Sequence, residues 1–269
     1  MRLGINFTPH HTSPEEWAEI LVREGYRASC FPANHTAPVS LIDRYVKAAH
    51  DNDIRIAEVG VWNTPFDPDP ERAKRNLDYC VEQLRLADYV GADCCVNVSG
   101  SAGAVWDFIY PENYTKEMYN RNVELVRYLI DKVKPTKTAY SLEPMPWMVP
   151  SSVAEYKKLL DDIGSPAFKV HMDIFNFVDG AYKYAHQEEL MDEAFEVLGK
   201  DIVSCHIKDI KMAPGATVAI HEAPIGEGVW NQRYYLDKIE ALHPDMPVLI
   251  EHLGRLEDYN KALAYLKSI

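Results

Sequence analysis

Residues 138–173, TAYSLEPMPWMVPSSVAEYKKLLDDIGSPAFKVHMD, contain the pattern that repeats through the whole chain. Two short β-like runs, at 138–143 and 168–173, flank a segment at 151–163 with the apolar periodicity of an amphipathic helix. Ser151 or Ser152 precedes this helical segment as a capping residue, and Glu155 is placed to reach back to it. The stretch therefore predicts a strand, a helix and a second strand.

The same alternation extends to both ends of the sequence. Eight strands are predicted, at 3–7, 27–31, 54–61, 94–98, 138–143, 168–173, 202–207 and 248–251. Eight helices are predicted, at 14–24, 39–52, 69–89, 115–134, 151–163, 186–198, 231–242 and 256–266. Because no Ser/Gly linker or charge block interrupts this order, we predict a single-domain α/β fold, a (β/α)8 TIM barrel. An open doubly wound sheet is disfavoured, since neither GxGxxG after the first strand nor GxxxxGK[ST] occurs.

The amino-acid composition agrees with one globular domain and reduces the range of expected binding partners. The chain has 269 residues, of which 47% are hydrophobic and 26% charged, which is enough to form a sizeable core. Its 28 Lys and Arg against 41 Asp and Glu give a formal net charge of −13. Such a field repels phosphate backbones and anionic lipids, so we expect neither nucleic acid nor a membrane as partner.

The cysteines and the first residues indicate a cytoplasmic protein. Five cysteines without CxxC spacing do not form a disulfide framework, which fits a reducing compartment. The opening MRLGINFTPHH has neither the basic start nor the apolar core of a signal peptide. No run approaches the 18 apolar residues of a membrane span.

The ends of strands five to eight each carry a side chain that can bind a metal. These side chains are Glu143, Asp173, His206 and Glu251. The carboxyl ends of barrel strands converge on one cup, so the four can surround one cation although they are far apart in sequence. Each acidic residue alone could equally cap a loop, but all four together favour a metal centre. Three carboxylates and one imidazole suit Mn²⁺ first, with Mg²⁺ or Co²⁺ as alternatives.

This strand-end series resembles the xylose isomerase-like sugar isomerase/epimerase superfamily, and its ligand set is most similar to the ketose 3-epimerases. Supporting fragments are Glu143-Pro144, His206-Ile207-Lys208-Asp209 and Ile225-Gly226-Glu227-Gly228. The resemblance implies one divalent ion held by Glu143, Asp173, His206 and Glu251, with the two glutamates as catalytic proton-transfer groups. The sequence departs from the epimerases at two positions: Asn176 replaces a substrate-binding histidine, and Met212 replaces an arginine.

Several further residues are candidates for binding substrate at the same mouth. Tryptophans in loops after strand ends can stack on the C–H face of a sugar, and Lys208 can stabilise an oxyanion. The long connections 100–114 and 208–230 are candidate substrate loops. Glu58 and Asn97 end strands three and four without a histidine, which argues against the trinuclear zinc cluster of apurinic endonucleases. The candidate substrate-binding residues are Asn176, Lys208, Trp62, Trp147, His10, Glu58 and Asn97.

We therefore expect a divalent-metal-dependent isomerase or epimerase of a small sugar or keto-sugar, acting through an enediolate. The alternative is a metal-dependent lyase or dehydratase that acts by β-elimination on a keto-sugar, like inosose dehydratases or 3-keto-glycoside deglycosidases. A barrel that binds sugar or metal without catalysis is a third hypothesis. The resemblance suggests a homo-oligomer and leaves a second subunit type open.

Overall fold

The computed structural model describes all 269 residues and shows a closed parallel barrel surrounded by helices. The eight barrel strands are β1 (Arg2–Ile5), β2 (Ala28–Cys30), β3 (Arg55–Gly60), β4 (Cys94–Asn97), β5 (Ala139–Leu142), β6 (Phe168–Met172), β7 (Ile202–Ile207) and β10 (Pro247–Ile250). A separate antiparallel hairpin consists of β8 (Asp209–Met212) and β9 (Ile220–Ala223). The predicted TIM barrel is confirmed.

Nine α-helices accompany the strands. They are α1 (Pro14–Glu24), α2 (Val39–Asp51), α3 (Pro70–Val90), α4 (Lys116–Val133), α5 (Val153–Ile163), α6 (Ala181–Ala185), α7 (Gln187–Leu198), α8 (Gln232–Leu242) and α9 (Leu256–Ser268). Short 3₁₀ helices occupy Pro111–Tyr114, Ile174–Phe177 and Gly199–Asp201. All eight predicted helices are present, and α6 is an additional one. None of the nine has the length and apolar character needed to cross a membrane.

Local sequence signals explain where the helices begin and end. The Ser13 side chain accepts a hydrogen bond from Glu16 N at the start of α1, which ends at Gly25 in the left-handed conformation. At α5 the Ser152 side chain caps Glu155 N, and Glu155 Oε2 accepts from Ser151 N at 2.7 Å. Glu155 thus reaches back as predicted, but to Ser151, which precedes the N-cap residue Ser152, so the pair differs in this one bond from a standard capping box.

The hydrophobic core lies between the barrel wall and the inward faces of the helices. It forms one cluster of 61 buried residues, in which Trp17, Tyr26, Tyr156, Phe168 and Tyr235 are among the largest side chains. Burial of apolar area of this extent is the main favourable term in folding. The barrel is therefore a rigid support for the residues at its carboxyl-terminal mouth.

Ion pairs line the opposite, amino-terminal end of the barrel. Arg55 binds Asp93 through two bonds of 2.6 and 2.5 Å and reaches Asp245 at 3.0 Å. Arg2 pairs with Asp53 at 2.8 Å and with Asp245 at 2.6 Å. A cavity of about 390 Å³ lies among these residues, but both of its guanidinium groups are already paired. This end of a TIM barrel contributes stability.

The connection after β7 differs from the long loop predicted at 208–230. It carries the β8–β9 hairpin, followed by a turn that the buried Asp209 carboxylate organises. Asp209 accepts hydrogen bonds from Gly226 N at 3.0 Å, Gly228 N at 3.1 Å and Trp230 N at 3.0 Å. A Cβ at Gly228 would overlap the Asp209 carboxylate, so the close approach requires glycine.

Replacing Asp209 with Ala is expected to lower the free energy of unfolding by about 3 kcal/mol, because three backbone N–H groups lose a charged acceptor. Urea unfolding measures the change. Asp237→Ala is the control, since Asp237 is an exposed acid on α8 paired only with Arg233, and it should change stability by less than about 0.5 kcal/mol. Equal stability of the two variants would contradict this role for Asp209.

Candidate active site

Four consecutive strands of the barrel place Glu143, Asp173, His206 and Glu251 together. His206 lies within β7, and the other three directly follow β5, β6 and β10. The backbone hydrogen bonds of the sheet extend to two of these residues, since Glu143 N donates to Asn97 O and Glu251 N donates to Ile207 O. All four side chains are buried, and one ligand atom of each lies within 4.8 Å of those of the others. The convergence predicted from the strand ends is thus present.

Two atoms of this cluster have no hydrogen-bond partner. Glu143 Oε2 and His206 Nδ1 are both buried and form no hydrogen bond of acceptable geometry, although they lie 3.5 Å apart. Glu251 Oε2 is 2.9 Å from the same nitrogen. Buried polar atoms are normally satisfied, so a site in which they converge without pairing calls for another ligand. A mixed carboxylate and imidazole donor set around them fits a divalent cation.

The protonation equilibria of the cluster are strongly displaced. Burial raises the pKa of Glu143 well above its usual value and that of Asp173 to about 6. Burial also opposes ionisation of Glu251, but the charges of His206 and Lys208 outweigh it and hold its pKa well below normal. Carboxylates crowded in a buried site compete for positive charge in this way. Nearby positive charge therefore stabilises the ionised carboxylates of this cluster.

Lys208 is the charged centre of a second group of contacts. Its buried Nζ lies 2.7 Å from Asp173 Oδ2, 2.8 Å from Glu251 Oε1 and 3.1 Å from Glu222 Oε1. Asn176 accepts from the same ammonium at 3.2 Å and donates to Asp173 at 2.9 Å and to Glu143 at 3.0 Å. Lys208 and Asn176 thus contact the metal-competent carboxylates directly.

Glu58 differs from its predicted position on the substrate wall. It is buried beneath the cluster, where its Oε2 lies 3.2 Å from His206 Nε2. Asn6 Nδ2 reaches the same nitrogen at 3.2 Å. Because Nε2 is engaged here, Nδ1 is the ring nitrogen that faces Glu143 and Glu251. A carboxylate behind a histidine orients the ring in many metal sites.

Asn97 also lies away from the mouth. The buried side chain accepts from Asn63 N at 3.1 Å and donates to Asn63 O at 3.1 Å. Both polar groups are therefore used to fix the segment after β3 that carries Trp62. Contact between Asn97 and substrate stays a prediction, and in this structure its amide bonds to the backbone of Asn63.

A cavity of about 410 Å³ opens above the cluster. Its walls are formed by Asn6, Trp62, Val98, Trp106, Asp107, Glu143, Met145, Glu251, His252 and Tyr259. Trp62 lies where the sequence analysis expected it. It has a φ of +55°, and a Cβ on Gly60 would overlap its indole ring. Glycine at position 60 thus allows the indole to fold close to the strand.

Trp147 and His10 do not line this cavity. The Trp147 indole N–H donates to Asp107 Oδ1 at 3.1 Å, so it supports a wall residue from behind. His10 is exposed in the segment between β1 and α1. Both follow strands that lead to the mouth, but the loop conformation decides which side chains enter it.

Several wall residues were missed by the sequence analysis. His252 directly follows Glu251 and has the unusual φ of +57° for a non-glycine residue. Its Nδ1 lies 2.7 Å from Glu222 Oε1 and its Nε2 3.3 Å from Glu251 Oε2. Glu222 comes from β9, so the hairpin reaches the site. Adjacency to a predicted ligand was the signal for His252, whereas the exposed four-residue strand β9 gave none for Glu222.

Fold and site together define a TIM-barrel protein with a candidate divalent-cation centre at its carboxyl-terminal mouth. Residues 16–269 match the sequence profile of the family described as Xylose isomerase-like TIM barrel. The chain therefore belongs to this family. No match was found among curated protein sequences.

Solved structures show the same fold at low sequence identity. The 3-keto-D-glucoside 4-epimerase of E. coli superposes with a TM-score of 0.77 at 15% identity, covering 100% of each chain. A xylose isomerase-like protein from Mycobacterium smegmatis, in complex with magnesium, gives 0.68 at 15% identity, covering 99% of this chain and 97% of the other. The probable 3-DHS dehydratase of Bacillus anthracis gives 0.75 at 14% identity, covering 99% and 98%.

Proposed function

We propose that this protein is a divalent-metal-dependent isomerase or epimerase of a small sugar or keto-sugar. The observation that carries the proposal is the convergence at a barrel mouth of Glu143 Oε2 and His206 Nδ1, both buried without a hydrogen bond, with two further carboxylates. The epimerase described for the E. coli structure supports the reaction class. The magnesium described in the M. smegmatis structure supports a divalent ion.

Glu143, Asp173, His206 and Glu251 would hold the ion. Manganese is our first choice for this oxygen-rich set, with magnesium and cobalt as alternatives. When bound, the ion supplies positive charge that stabilises the oxygens of an enediolate derived from the substrate. Glu58 keeps the His206 ring in the orientation that directs Nδ1 to the same point.

The two glutamates are the proposed catalytic acid and base. Glu143 follows β5 and Glu251 follows β10, and two other strands lie between these in the barrel order. The carboxylates therefore approach the cavity from different sides. One can remove a proton from carbon on one face of a sugar while the other returns a proton on the opposite face, as epimerisation requires.

Other residues of the mouth would bind and orient the substrate. Lys208 holds the carboxylates of Asp173 and Glu251, and Asn176 holds those of Asp173 and Glu143, so both would position the groups that meet the substrate. Trp62 and Trp106 offer flat apolar walls to the C–H face of a sugar. A homo-oligomeric state and a cytoplasmic location stay predictions.

A lyase is the second candidate. His252 lines the cavity beside Glu251, where its Nε2 lies 3.3 Å from Glu251 Oε2. β-Elimination needs an acid to protonate the departing group, and His252 is placed to act next to the base. The probable dehydratase among the structural neighbours supports this alternative.

Proton NMR in D₂O separates these reactions. The Mn²⁺-loaded protein is incubated with ketoses and 3-keto-glucosides and then quenched with chelator. A rearranged or inverted sugar, with deuterium at the carbon whose proton exchanged, would support the proposed function. Loss of water or of an aglycone, with an unsaturated keto-sugar as product, would favour the lyase. Unchanged substrates across the panel would contradict both.

Replacing His206 with Ala is expected to reduce bound manganese from one equivalent to below about a tenth, because a ligand in the centre is lost. Metal content after dialysis measures the change without reference to activity. His50→Ala is the control, since the His50 side chain on α2 is 87% exposed. If His206→Ala retained one full equivalent of manganese, the proposal that His206 belongs to a metal centre would be contradicted.

A further inference from the structure

The cavity above the proposed metal centre has an acidic wall. Among its lining residues, Asp107, Glu143 and Glu251 are acidic, whereas His252 is the one basic side chain and lysine and arginine are absent. The nearby Lys208 ammonium lies between Asp173, Glu251 and Glu222 at 2.7 to 3.1 Å. Its charge is therefore already balanced by the protein.

Asp107 is the wall acid outside the metal-binding set. Its Oδ1 accepts the indole N–H of Trp147 at 3.1 Å, and this is the one hydrogen bond that the side chain makes. No lysine, arginine or histidine pairs with it. The second oxygen, Oδ2, is thus a free acceptor on a partly buried carboxylate at the cavity wall.

The loop holds this carboxylate in a defined place. Asn113 is 1% exposed, and its Nδ2 donates to Phe108 O at 3.0 Å and to Trp147 O at 2.8 Å. Its Oδ1 accepts from Ala102 N at 2.9 Å, and the Ser101 hydroxyl accepts from Phe108 N at 2.8 Å. These bonds close the loop on both sides of Asp107 and tie it to the segment that carries Trp147.

We propose that Asp107 is a specificity-determining residue that accepts a hydrogen bond from a hydroxyl group of an uncharged sugar and excludes substrates that carry a phosphate or carboxylate in place of that hydroxyl. This inference rests on the proposed function and specifies its substrate class. A fixed carboxylate with a free oxygen is a good partner for a hydroxyl donor. The same charge repels an anionic group, and its field acts more strongly in a cleft than in open water.

Saturation-transfer difference NMR tests the charge selection by binding alone. The Mg²⁺-loaded protein is titrated with D-fructose and with D-fructose 6-phosphate, which differ by the terminal phosphate. We expect the neutral sugar to bind at least about tenfold more tightly. Asp107→Asn keeps an oxygen for Trp147 but removes the charge. It should lower the ratio of the two dissociation constants, sugar phosphate over neutral sugar, by about tenfold, which corresponds to about 1.4 kcal/mol.

Glu112→Gln is the matched control, because Glu112 is an exposed acid at the start of the neighbouring 3₁₀ helix and does not line the cavity. It should leave the ratio unchanged. Equal or tighter binding of the phosphate by the unmodified protein, or an unchanged ratio in Asp107→Asn, would overturn the charge selection and leave the proposed reaction intact. Binding of neither sugar would contradict both proposals.

Discussion

Replacing Lys208 with Met is expected to destabilise the metal-free protein by about 3–5 kcal/mol. The ammonium is 4% exposed and lies within 2.8 Å of carboxylate oxygens of both Asp173 and Glu251. Its removal leaves these carboxylates buried without their counter-ion, which costs more than the loss of an exposed pair. Urea unfolding after treatment with chelator measures the change in the free energy of unfolding.

The same substitution should strengthen metal binding by about tenfold, because a divalent ion would no longer share two carboxylates with a fixed positive charge. Calorimetric titration with Mn²⁺ measures this affinity. Lys211→Met removes an exposed lysine three residues further on, and it should change neither quantity. Unaltered stability of Lys208→Met, or weaker metal binding by a folded variant, would contradict this account.

Replacing Glu143 or Glu251 with Gln is expected to lower kcat/KM for the sugar reaction by about 10³-fold or more. Each substitution keeps the size of the side chain and an oxygen for the metal, but the amide cannot accept or return a proton at neutral pH. General acid and base groups typically contribute 10² to 10⁴ to the rate. Incorporation of solvent deuterium into substrate and product, followed by NMR, measures each step.

The two glutamate variants also distinguish one-base from two-base chemistry. If two bases act on opposite faces, one variant should still exchange deuterium into recovered substrate while it fails to form the epimer. Glu227→Gln is the control, since Glu227 is exposed in the turn before α8 and should keep full activity. More than a tenth of normal activity in both Glu143→Gln and Glu251→Gln would argue against these roles.

The metal-competent cluster could be predicted from the sequence because the fold itself creates it. Eight strand and helix patterns indicate a closed parallel barrel, and closure brings the carboxyl ends of all strands to one mouth. Any side chains at the ends of neighbouring strands then lie close together, which is the case for Glu143, Asp173, His206 and Glu251. Their clustering follows from topology and is independent of the exact conformation of any loop.

Depth along the barrel axis could not be predicted in the same way. Glu143 directly follows β5 and lines the cavity, whereas Glu58 lies within β3, where Val59 and Gly60 still follow it, and contacts His206. The level of a side chain depends on the stagger between neighbouring strands. Glu58 pairs with Cys94, and Cys94 pairs with Ala139, which lies four positions before Glu143; sequence patterns do not reveal this register.

Loop conformation limited the prediction of the walls. Trp106 and Trp147 both lie in loops that follow barrel strands, but Trp106 lines the cavity and Trp147 donates to Asp107. Which tryptophan enters the cavity depends on how the two loops are joined. Asn113 joins them through its bonds to Phe108 O and to Trp147 O, the latter 34 positions away. Contacts of this kind are specific to the folded loop and have no local sequence signature.

The pairing of β1 with β10 has a consequence for how the protein folds. Beside this seam, Arg2 bonds to Asp245, 243 positions away, so closing it carries a large loss of chain entropy. Contacts of such high sequence separation slow folding. Asn6, which follows β1, reaches His206 only across this seam. The full set of contacts around His206 therefore forms when the ring of strands closes, and slow ring closure should limit how fast the proposed metal centre assembles in a newly made chain.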